Sequence, residues 1–116
     1  MDAYDKAIEA GRIAAKPLWA DVKRLKDEMT PIIDRQHVLW CRYFTDDVRS
    51  WSLDTFSEAD RTEYEALAVQ RIALRDKISA IHTLIKQIER AAEVKALKAH
   101  KSALRRRNPH LANLWR

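Results

Sequence analysis

The chain has 116 residues, of which 22 are Lys or Arg and 17 Asp or Glu, for a formal charge of +5; it holds one Gly, three Pro, one Cys and four Trp. Ordinary proteins contain roughly 7% glycine, so a single glycine excludes P-loops, dinucleotide-binding turns, tight hairpins and most all-β folds. One cysteine excludes a disulfide framework and a Cys-rich zinc site. The composition therefore predicts one all-α domain.

The N-terminus, MDAYDKAIEA, lacks a signal-peptide core, and no apolar run approaches the roughly 18 residues of a membrane span. With the lone thiol, this sets the expectation of a cytoplasmic protein with no membrane span. A first helix is expected over 2–50. Tyr4, Ile8, Gly11, Ala15, Leu18, Val22, Leu25, Met29, Ile32, Gln36, Leu39 and Tyr43 recur at 4-3 spacing, and Gln36 is the one polar member. Pro17 and Pro31 interrupt the stripe without changing its phase. Each proline removes a backbone hydrogen bond, so the helix is expected to kink or to restart there, with Thr30 as N-cap of the last segment.

A connector is expected over 51–57, and Ser57 with Asp60 resembles a capping box that opens a second helix over 58–107. Its seam reads Tyr64, Leu67, Arg71, Leu74, Ile78, Ile81, Ile85, Ile88, Ala92, Lys95, Ala99 and Ser102. Asn108-Pro109 ends it, leaving a short tail over 108–116. Folding back at the connector brings the two seams together as a long antiparallel, coiled-coil-like hairpin. It places Ala15 against Ala92, Ile8 against Ala99, and polar Gln36 against polar Arg71, a layer able to set register. A second stripe, Ile33, His37, Trp40, Phe44, Val48 and Trp51, widens the apolar face beyond what one helix covers. Homo-oligomerisation into four helices would cover it, as would folding of the proline-separated segments into a three- or four-helix monomer.

Divided along the chain, the charge is −1 over 1–57, −1 over 58–93 and +7 over 94–116. On a helical projection Lys95, Lys98, Lys101, Arg105 and Arg106 share one arc, while Ala92, Ala96, Ala99 and Ala103 continue the buried seam on another. Arg107 follows, and Trp115 lies on the tail. Lys and Arg in such an array displace counterions from phosphates, and Trp115 could stack on a base or anchor to a partner. Opposite lie Asp2, Asp5 and Glu9, able to pair with Arg105, Lys101 and Lys98, although Lys6, Arg12 and Lys16 offset them.

Other constellations are weaker. Asp34, His37 and Cys41 share a face but lack a fourth ligand in register, and a Cys-His nucleophile has no oxyanion hole. Glu89 and Glu93 interleave with Lys86 and Arg90 as solvated ion pairs do. No catalytic residue, metal or cofactor is expected. The favoured expectation is a non-enzymatic protein docking on nucleic acid or a ribonucleoprotein through the basic end. The alternative is a small adaptor or inhibitor, of the kind phages and mobile elements encode, acting through Trp19, Ile33, Trp40, Phe44 and Trp51 or through the basic end on an acidic protein.

Overall fold

The first helix, α1, runs unbroken over Ala3–Tyr43, and the second, α2, over Glu58–Arg107, with a short 3-10 turn at Leu53–Thr55 between them. The two long helices pack against each other as a hairpin. The computed structural model describes residues 2–44 and 53–108, so 45–52, and with them Val48 and Trp51, lie outside the described residues, as does the tail from 109 with Trp115.

Pro17 and Pro31 both stand inside α1, so the helix does not restart at either of them. Both prolines are exposed, which lets water reach the backbone carbonyls they deprive of a donor. Thr30 is not an N-cap: its hydroxyl donates to the Lys26 carbonyl at 3.1 Å, a bond made within a continuing helix. The true cap is Asp2, whose Oδ1 accepts from Asp5 N at 2.8 Å.

The residues group into two compact units, each built from both helices: Met1–Ala20 with His82–Arg116, and Asp21–Ile81. In the first, Ala7, Gly11, Ala15, Ile85 and Ala96 are buried. This is a small-residue seam, which lets backbones approach closely. A Cβ at Gly11 would overlap Ala92 Cβ, with Ala92 Cα at 3.8 Å and the Ile88 carbonyl at 3.9 Å. Gly11 therefore makes the close approach to Ala92, and Ala15 lines a groove with both. Lys95 and Ser102, expected on the seam, are exposed, and Ala96 takes their place at full burial. A straight helix drifts by about 20° per heptad against a strict seven-residue repeat, so the buried line moves onto Ala96, Ala99 and Ala103.

In the second unit Leu25, Leu39 and Ile78 are buried, and Leu39 is fully enclosed, a burial worth about 1.5–3 kcal/mol. Gln36 is buried as well, and its Oε1 accepts from Arg71 Nη1 at 3.1 Å, the polar layer expected from the two seams. Arg35 clasps Glu63 through Nε (2.5 Å) and Nη2 (3.1 Å).

Where α2 begins, Ser57 Oγ accepts from Asp60 N at 3.2 Å. The Asp60 carboxylate does not complete a capping box. Instead the Tyr43 hydroxyl accepts from Ser57 N at 3.0 Å and donates to Asp60 Oδ2 at 2.6 Å, so the last residue of α1 caps α2. Tyr43 stacks on buried Phe56 (centroids 4.1 Å apart), and Phe56 meets Tyr64 edge-on at 5.5 Å.

The Tyr43 hydrogen bond, aided by the Arg42 charge, holds the Asp60 carboxyl below the ordinary range, and the Arg35 hydrogen bond does the same for Glu63. A lowered folded pKa adds stability that is fully present above the unfolded value of about 4 and disappears as pH falls through the folded value. Tyr43→Phe should therefore lower the urea midpoint at pH 7, and the gap from wild type should narrow below about pH 4.

Gly11→Ala should destabilise by about 1–3 kcal/mol through overpacking, although alanine favours a helix by about 1 kcal/mol. Ala92→Gly in the same chain should recover most of that loss, as a double-mutant cycle by urea denaturation will measure.

Candidate nucleic-acid interface at the basic end of α2

The last turns of α2 belong to the first unit. Their Ala-rich side is turned inward, with Ala96 fully buried and Ala92, Ala99 and Ala103 half-buried. At about 100° per residue, that inward side directs Lys95, Lys98 and Lys101 away from α1, and all three are exposed, as are Arg106 and Arg107. Arg105 differs from its neighbours. It is half-buried and its Nε is shielded from solvent, so it is tied to the fold as well as to the cationic arc. The three arginines close the helix at the negative pole of its dipole.

Two of the three acids expected to neutralise this end are engaged elsewhere, while Asp5 lines a groove with Glu93 and Leu97. Glu9 pairs with Arg12 of its own helix at 2.8 Å, and Asp2 caps α1, where the Asp5 amide holds its carboxyl below the ordinary range. Among the described residues, no ion pair involves Lys95, Lys98, Lys101, Arg106 or Arg107. Tyr4 packs edge-on against His100, with centroids 6.2 Å apart.

Trp19, in the same unit, is 48% exposed and tilted against His82, with centroids 5.6 Å apart. Shallow grooves adjoin it, among them one lined by His82, Ile85, Lys86 and Glu89 and another by Glu9, Arg12, Ile13 and Lys16. It is half covered and half presented.

The remaining interface candidates belong to the second unit. Trp40 is half-buried between His37 (6.1 Å) and Phe44 (4.3 Å), a stacked ladder along one side of α1, and Ile33 and Phe44 are partly exposed. His37 Nε2 lies 3.4 Å from Cys41 Sγ, so its neighbour is the thiol and not Asp34. Among the described residues, no group of three or more His, Cys, Asp or Glu side chains could hold a metal ion. No described helix is long and apolar enough to cross a membrane.

No protein family, curated protein or solved structure matches this chain.

Reading the seam alone overlooks the side of α2 opposite it. Gln87, Arg90, Ala91 and Val94 are exposed and line one shallow concavity with Lys95 and Lys98. The signal for it was present as a second 3-4 spacing through Leu84, Gln87, Ala91, Val94, Lys98 and Lys101. Its mostly small or polar members do not stand out as an apolar stripe.

If the exposed lysines are not part of the fold, Lys98→Ala and Lys101→Ala should each change stability by no more than about 0.5 kcal/mol. Ala96→Leu, on the buried side of the same turn, should cost about 1–3 kcal/mol. Urea denaturation of the three variants separates the two faces.

Proposed function

We propose that the protein is a non-enzymatic nucleic-acid-binding protein whose hairpin presents the basic end of α2 to a phosphate backbone, free or within a ribonucleoprotein. The observation that carries this reading is the exposure of Lys95, Lys98, Lys101, Arg106 and Arg107 without an ion pair among the described residues. Solvated cations held on one rigid helix release counterions when they meet phosphates, and that release drives association whatever the base sequence. The helix contributes rigidity, because its other side is locked against α1 through Ala96 and the Gly11–Ala92 contact.

A second reading, a protein-partner adaptor, rests on Trp19. A half-exposed tryptophan beside shallow grooves is the side-chain type that anchors protein interfaces.

The two readings separate by salt. With up to five phosphates neutralised, the logarithm of the binding constant should fall with the logarithm of salt concentration at a slope of up to about −4.5 for duplex. Replacing Lys98, Lys101 and Arg106 together by Glu should abolish binding and leave the helical circular dichroism unchanged. A salt-insensitive complex that survives the triple replacement and is lost with Trp19→Ala would overturn the nucleic-acid reading and establish the adaptor.

A further inference from the structure

We infer that the ligand of this end is B-form DNA, entered through its major groove by the outward side of α2 between Leu84 and Lys101. The inference rests on the nucleic-acid reading above and adds to it the form of nucleic acid and the mode of docking.

The outward side has a distinct construction. Its centre is small: Ala91 and Val94 are exposed at the floor of the concavity that Gln87, Arg90, Lys95 and Lys98 border. Arg90 and Lys95 stand on opposite edges of this strip, and Lys98 and Lys101 continue it toward the helix end. No carboxylate interrupts it. Glu89 and Glu93 project from the flank nearer α1, where Glu89 lines a groove with Trp19 and His82, and Glu93 one with Tyr4 and Ile8.

A helix with its side chains is about 10–12 Å across, and the major groove of B-DNA is about 12 Å wide. A strip of Ala and Val lets such a helix lie deep in the groove, while cations on both edges reach the phosphates of the two strands. Beside the floor, Gln87 has the side-chain amide that pairs with adenine. The major groove of A-form RNA is deep and narrow and does not admit a helix. Single strands are held by aromatic platforms, and the described part of this side carries none. An acidic protein helix would find charge here but a limited apolar surface, because the exposed apolar side chains of this side are Leu84, Ala91, Val94 and Leu97, interspersed with Gln87, Arg90, Lys98 and Lys101.

The test compares a DNA duplex, an RNA duplex of the same sequence and polyglutamate as probes of the full chain, by fluorescence anisotropy at matched low salt. Guanine N7 methylation by dimethyl sulfate reports on the major groove, where that atom lies. The expected result is DNA binding about tenfold or more tighter than RNA binding, with N7 protected. Ala91→Phe, an exposed substitution that leaves the charge unchanged, should weaken DNA binding by about tenfold and leave RNA binding as it was; its circular dichroism checks that it folds. Equal binding of the two duplexes, with N7 open to methylation and Ala91→Phe neutral, would overturn the groove inference and leave the phosphate-binding function standing. Polyglutamate bound as tightly as DNA would overturn it in favour of an acidic protein. Failure of all three probes to bind would overturn both the inference and the function.

Discussion

Close approach of the two helices at Gly11 and Ala92 sets the orientation of the whole first unit. Because the only residue without a Cβ receives the Ala92 methyl, α2 is held with its Ala92, Ala96, Ala99 side inward. Every other feature of that end follows from the rotation. Lys95, Lys98 and Lys101 point outward because alanines point inward, and the strip of Gln87, Arg90, Ala91 and Val94 faces away from α1 for the same reason. A seam of small residues buries less area per contact than a leucine seam and depends on how closely the two backbones fit. This makes it sensitive to a single added methyl group.

The second unit is held differently, by larger side chains and by polar contacts of defined geometry. Leu39, Leu25 and Ile78 supply the burial, while Gln36 with Arg71 and Arg35 with Glu63 constrain register. At the start of α2, Tyr43 does the work that a capping-box carboxylate does within one helix, and so ties the last residue of α1 to the first turn of α2. Its ring stacks on Phe56 at the same time. One side chain thus joins helix capping, chain reversal and aromatic packing, and the lowered Asp60 pKa is the electrostatic sign of that junction.

Function, on the reading proposed here, depends on a division of charge between the two sides of α1 and α2 in the first unit. Two acids near the cationic end serve local roles, Glu9 with Arg12 and Asp2 as a cap, and the lysines are exposed. Solvated lysines cost the fold little and remain available to a polyanion. Trp19 against His82 offers a separate, less polar surface in the same unit.

Much of this was legible in the chain itself. Heptad spacing and the scarcity of glycine determined two long helices, Ser57 and Asn108-Pro109 marked the bounds of the second, and the run of seven cations without an acid after Val94 located the basic end. The Gln36–Arg71 layer also followed, since polar residues in two apolar seams have few other partners. Tertiary structure alone decided three things. Pro17 and Pro31 remain inside one helix, because their exposure leaves the orphaned carbonyls to water, and no local rule reports exposure. Gly11 makes the close approach to Ala92, because periodicity puts Gly11 and Ala15 on one face and only the fit of the two surfaces selects which of them lies directly against it. Lys95 stands both in the heptad seam and on the outward arc of the sequence, and the partner helix selects the alanine line with Ala96 fully buried, because a straight helix drifts against a seven-residue repeat.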